Sequence, residues 1–225
     1  VTAKQNRTPW TRVTELTEET ILVKTRTGDT PLHRAAKNGN IYEVPKHLLR
    51  AELFLIKNYD WQKTPHRTPL HVAAMYGHLD QVPLEFLTEE TLSALDKYGR
   101  TPLHEAAGSG HGERIPREVL TPKLLSIPEQ RFGNTVLHFL AWRNELSLLP
   151  SKCITSKMLL VENYDGESPR EIVEHLSEYH EWHKVSRKES ATEQQKEKLW
   201  LIGFAWQEGI TKGQASDALM LRAAQ

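Results

Sequence analysis

Apolar residues in this chain come in short bursts whose spacing repeats. The clearest burst begins at Thr68. Leu70, Ala73 and Ala74 fall on one side of a 3.6-residue period, which predicts a short helix with one buried face. Thr68 stands where a helix N-cap belongs. Pro69 stands at the first helical position, where a missing N–H costs nothing. The two alanines allow close approach of a neighbouring helix, and Gly77 supplies a residue that readily takes the left-handed conformation after a last turn. A second set, Val82, Phe86 and Leu87, predicts a second helix from about Leu79 to Leu87, with Pro83 in its first turn. The same order recurs along the chain: Gly39 and Gly110 match Gly77, Val44-Pro45 and Ile115-Pro116 match Val82-Pro83, and Asn144 takes the terminating position in a fourth copy.

The helix starts are near-copies of one phrase: Thr30-Pro31-Leu32-His33, Thr68-Pro69-Leu70-His71, Thr101-Pro102-Leu103-His104 and Thr135-Val136-Leu137-His138, with a fifth echo in Ser168-Pro169-Arg170. A period near 33 residues means stacked units, and stacked units usually bind rather than catalyse. The Thr-Pro-Leu-His phrase, the alanine pair and the closing glycine resemble the ankyrin repeat, over roughly residues 10 to 180. The resemblance implies an all-α ankyrin-repeat solenoid with extended fingers. It also implies that the phrase's histidine hydrogen-bonds within and between repeats. One departure is consistent: Leu87-Thr88-Glu89-Glu90-Thr91-Leu92 and its partners at Leu16, Leu120 and Ile154 each carry a threonine able to cap an extra helical turn before the finger. That subtype resembles divergent bacterial or phage ankyrin proteins. The expected organisation is a repeat domain over 1–183, with an N-terminal half-repeat cap at 10–27 and repeats starting near 28, 66, 99, 133 and 166. A two-helix module follows at 184–225, either capping the stack or acting as a separate contact.

Composition adds little pull in any direction. Twenty-nine Lys and Arg balance 29 Asp and Glu, so no global charge favours nucleic acid or anionic lipid. Cys153 is the only cysteine, which fits a reducing compartment and a cytoplasmic location. Val1 to Arg12 has no apolar run of signal-peptide length, and no stretch reaches a membrane-spanning length. Phosphate-binding glycine loops and the His-Glu-x-x-His pattern are missing, so an enzyme is a third reading, with no catalytic residue and no cofactor expected. The four phrase histidines do not form a metal site: equivalent residues of stacked helices sit about 10 Å apart, and zinc needs ligands at about 2 Å.

A protein partner is expected on the concave helical face and the finger tips, with the chain a monomer. The inner-helix positions are Arg34 and Lys37; Val72, Met75 and Tyr76; Glu105; and Phe139, Trp142 and Arg143. The apolar group among them is unusual for a solvent face and suits an interface centre. Phe139 and Trp142 have a second reading, as packing against the fifth repeat. Tyr98 and Phe132 occupy finger positions, either packed between fingers or presented to a partner. The 38-residue first step places about five extra residues between Arg50 and His66, where Trp61 is either a contact or simple loop packing. Nucleic-acid binding through the basic residues of the C-terminal module is the alternative function.

Overall fold

The computed structural model describes residues 16–59 and 66–176. Trp61, the start of the half-repeat and the expected module at 184–225 lie outside the described residues. Two compact units partition the chain, 1–172 and 173–225. Of the second, residues 173–176 are described, and they are helical.

The described residues contain no strand; their α-helices are α1 (Pro31–Asn38), α2 (Pro69–Met75), α3 (Glu89–Leu92), α4 (Pro102–Gly108), α5 (Pro122–Leu125) and α6 (Val136–Trp142), and residues 169–176 are helical as well. Helices α1, α2, α4 and α6 are the inner helices of successive repeats. They stack in chain order, α1 on α2, α2 on α4 and α4 on α6. Leu32, Leu70, Leu103 and Leu137 are at most 1% exposed, and the alanines beside them are equally buried. Helix α6 lacks the proline at its first position but begins at the same place. Its box of Thr135 with His138 is intact, and the box sets the start.

The outer layer differs from the expected second helix. In place of one helix from Leu79 to Leu87 there are two 3-10 turns, Leu79–Gln81 and Leu84–Phe86, separated by Val82 in an extended conformation. Proline explains the break. It has no N–H for the helical ladder, and its ring drives the preceding residue out of the α region. Every copy shows the same break: Val44-Pro45, Val82-Pro83, Ile115-Pro116 and Leu149-Pro150 each join two 3-10 turns. The residue before each proline is buried, so the extended link still packs onto the inner layer.

The extra turn before the finger is present. Thr88 caps α3 by accepting the N–H of Thr91, and Thr121 caps α5 by accepting that of Leu124. Thr17 and Thr155 accept the N–H of Thr20 and Met158 in the same way. In the remaining copy Arg50 replaces the threonine, and the segment Ala51–Leu55 is a 3-10 helix without a side-chain cap.

Each later finger folds around the side chain at its first position. The Asp96 Oδ1 accepts the N–H groups of Tyr98 and Arg100 at 2.8 and 2.9 Å. Asn163 does the same for Asp165 and Glu167. The finger from Glu129 to Asn134 is one residue longer and starts with a side chain one methylene longer. The Glu129 carboxylate accepts from Arg131, Phe132 and Asn134. In the second finger Asn58 and Arg67 exchange backbone and side-chain bonds at 2.8 Å, so the extra residues are confined between these two anchors.

Two glycines of the third repeat, Gly108 at the end of α4 and Gly112 in the 3-10 turn after it, show how neighbouring repeats fit. A Cβ on Gly112 would meet Leu140 at 2.9 Å, and one on Gly108 would touch the Phe139 ring at 3.4 Å. Leu140 and Phe139 are the bulky members of the fourth repeat, and the third repeat makes room for both. Gly77 has a different role: it follows α2 at φ +74°, and its would-be Cβ faces the His111 ring at 2.9 Å. Substituting Gly77 by Val is expected to destabilise the fold by more than about 1 kcal/mol, since a β-branched side chain is poorly placed there, whereas Gly77→Asn costs less. A denaturation midpoint unchanged by Gly77→Val would contradict this.

Candidate functional site

The inner helices are fastened to one another by their histidines. In each box the threonine N–H donates to the imidazole Nδ1, at 3.2 Å for Thr30–His33 and Thr68–His71 and 3.1 Å for Thr101–His104 and Thr135–His138. With Nδ1 accepting, the ring proton sits on Nε2. Nε2 then donates to a carbonyl at the end of the next finger: Arg67, Arg100, Asn134 and Glu167 for the four histidines in order, at 2.9–3.1 Å. Both nitrogens of every ring are therefore committed, which leaves no lone pair for a metal ion. Burial holds all four rings neutral, with His71 and His104 lowered to about 4 and His33 and His138 also lowered. In the fifth copy Glu171 takes the place of histidine and accepts from the Ser168 N–H and hydroxyl.

On the inner-helix face the charges of the middle repeats are largely spent on one another. Glu105 is 4% exposed. Its carboxylate receives the Arg67 guanidinium on both oxygens at 3.1 Å and that of Arg100 at 2.7 Å. Arg100 also reaches the Asp96 carboxylate at 3.1 Å. Glu105 was expected to face a partner, and this placement corrects that expectation: the carboxylate is buried and joins the second and third repeats. Val72 is likewise buried, at 9% exposure, and contributes to the core rather than to an open surface.

Beside this network lies an open cleft of about 450 Å³, between the third and fourth fingers and α6. Phe139 and Trp142 project into it from α6, Tyr98 and Phe132 from the fingers. Phe139 is partly buried and stands edge-on to His104, ring centres 5.7 Å apart, and edge-on to Trp142 at 5.6 Å. Tyr98, Phe132 and Trp142 are 40–41% exposed. The fingers are tied to each other by the Gln130 N–H, which donates to the Tyr98 carbonyl at 3.0 Å, so the two finger walls hold one spacing. Polar lining comes from Arg100, Arg131, Asn134 and the buried Glu129.

The residues singled out in the sequence separate into two groups. Tyr98, Phe132, Phe139 and Trp142 meet in the cleft. Arg34, Lys37, Met75 and Tyr76 lie on or just after α1 and α2, with the Lys37 ammonium over the Tyr76 ring at 5.3 Å. Arg143 is exposed, and its guanidinium pairs with Glu145 at 3.3 Å. Sequence reasoning missed Arg100, Glu129, Arg131 and Asn134. Their signal was positional: each flanks a finger aromatic and its glycine, in Tyr98-Gly99-Arg100 and in Glu129-Gln130-Arg131-Phe132-Gly133-Asn134.

A family model for ankyrin repeats in three copies matches residues 46–121, and a model for the single ankyrin repeat matches residues 27–59. No curated protein matches the chain. The inner-helix geometry of the matched stretch continues past it into α6. Among the described residues no helix is long and apolar enough to cross a membrane.

The buried rings dictate a pH response. An unfolded chain takes up a proton at each histidine near pH 6.5, whereas folded His71 and His104 resist until about 4. The unfolded state therefore binds more protons between these values, so stability falls as pH drops from about 6.5 to about 4, and the rings add no pH dependence above that window. Denaturation midpoints measured in steps from pH 7.5 to 5 should decline below about 6.5. A flat series would contradict the neutral, bridging imidazoles.

Proposed function

For a chain whose residues 27–121 belong to the ankyrin-repeat family, we propose a protein-binding role as an adaptor or inhibitor, through the concave helices and finger tips. Protein–protein interaction is the general role of such repeats. The finer reading rests on one observation: three rings, Tyr98, Phe132 and Trp142, stand about two-fifths exposed around a partly buried fourth, Phe139. Aromatic rings concentrate at the energetic centres of interfaces. Rings already held by neighbouring contacts lose little further freedom on binding. Edge-on packing of Trp142 against Phe139 supplies that restraint.

The exposed Arg34 and Lys37 extend the same face towards the first repeat, and Trp61 in the lengthened finger belongs to the proposed contact surface. The likeness of the threonine-capped finger segments to bacterial and phage proteins favours bacterial regulation or host–phage interference as the setting, with a monomer acting in the cytoplasm. A phosphate backbone fits this face less well, because it needs a continuous basic track. Arg67, Arg100, Arg114 and Arg143 are each paired with a carboxylate.

Capture of partners from lysate with the full chain, followed by titration of the purified partner, tests the reading. Changing Trp142 to Ala should weaken the complex by about 2 kcal/mol or more, as truncation of a hot-spot residue does. The melting temperature should move little, because the ring is 41% exposed. A variant that unfolds while the partner affinity of its folded fraction is retained would place Trp142 in the core. A folded variant with undiminished affinity would remove the cleft from the interface.

A further inference from the structure

The cleft's chemistry selects among possible occupants, and the selection rests on the protein-binding reading above. Four rings around a cavity could in principle receive a cation, since aromatic faces attract positive charge. Here the chain's own cations already occupy the faces of the two finger rings, Tyr98 and Phe132. The Lys97 ammonium lies 4.9 Å from the centre of the Tyr98 ring and the Arg100 guanidinium 5.0 Å from it. The Arg131 guanidinium lies 4.8 Å from the centre of Phe132. A second cation would meet repulsion at both finger walls.

The carboxylates nearby do not reverse this. Glu129 is 3% exposed, and its oxygens are taken by the N–H groups of its own finger. Asp96 is buried and bound to Arg100. Arg100 is divided between Asp96 and Glu105. Arg131 differs: it is exposed, and no carboxylate among the described residues pairs with it. The cleft thus offers an aromatic-lined interior and, at its rim, a guanidinium that lies over Phe132 and has no carboxylate partner among the described residues.

Size sets a further bound. A volume of about 450 Å³ lies towards the small end of ligand sites, which run from roughly 300 to 1,000 Å³. It suits one large side chain with its flanking backbone. Phe139 and Trp142 meet edge to face, so an incoming ring can extend the same edge-to-face arrangement.

We propose that the cleft between the third and fourth fingers receives an aromatic side chain of a partner peptide, with a carboxylate next to it that pairs with Arg131. The aromatic ring supplies buried apolar area. The carboxylate supplies charge complementarity, and a bidentate pair with the guanidinium fixes the peptide's orientation.

The test uses the isotope-labelled full chain and defined probes. These are nine-residue Gly–Ser peptides centred on Glu-Trp-Glu, Lys-Trp-Lys or Glu-Ala-Glu, and an eight-residue oligothymidine. Binding is read from the Trp142 indole N–H resonance. The Glu-Trp-Glu peptide should shift that resonance and bind at least tenfold more tightly than the other probes. Arg131→Gln should abolish its advantage over Lys-Trp-Lys, and Arg131→Glu should invert the order. The wild-type spectrum serves as the folding control for both variants. Tighter binding of Lys-Trp-Lys to the wild type, or no shift at Trp142 with any peptide, would overturn the proposal. Peptide-induced shifts confined to other surfaces would also sink it while leaving protein recognition intact. Tightest binding of oligothymidine at Trp142 would overturn both this proposal and the reading on which it rests.

Discussion

One imidazole bond sets the geometry on which the rest of this structure depends. Each phrase histidine uses Nδ1 to close the start of its own helix and Nε2–H to hold the end of the following finger. The same ring therefore fixes a helix start, a finger position and the step from one repeat to the next. A neutral ring with one acceptor and one donor can do this. A charged ring cannot, because its Nδ1–H would point at the threonine N–H. At His104 the consequence is local: the ring holds the Asn134 carbonyl and stands edge-on to Phe139, so one residue supports both a wall and the floor of the cleft.

Much of this architecture was legible in the residues. Thr-Pro at a helix start, the alanine pair and the glycine at positive φ each have a local physical meaning, and α1, α2 and α4 follow from them. Asn144 takes the left-handed position in the fourth copy, at φ 57°, as its side chain allows. The threonine caps of α3 and α5 were equally readable. The outer layer was not. Val82 and Phe86 have helical spacing, but Pro83 lies between them and forbids the helix that the spacing suggests. The hydrophobic pattern reports which side chains are buried; the proline decides the backbone that buries them.

The candidate site divides along similar lines. An exposed aromatic in a finger is visible in a sequence, and so is one on an inner helix; their convergence is not, because Tyr98 and Trp142 are 44 residues apart. Glu105 shows the opposite problem. Its position on the inner helix reads as surface, but Arg67 and Arg100 arrive from two different fingers and enclose it. A buried carboxylate with two guanidiniums can hold a fixed arrangement without adding much net stability, since desolvation offsets most of the attraction. Its effect on the cleft is to commit Arg100, which leaves Arg131 as the guanidinium at the rim without a carboxylate among the described residues.

The spacing of helices, fingers and cleft walls derives from the protonation pattern of the bridging rings. Two-bond proton–nitrogen correlation spectra of the histidine side chains measure that pattern directly. His104, with His33, His71 and His138, should show a protonated Nε2 and an unprotonated Nδ1 at neutral pH, and His104 should keep this form down to about pH 5. A His104 ring protonated on Nδ1, or one that titrates near 6.5 like a solvent-exposed histidine, would contradict it.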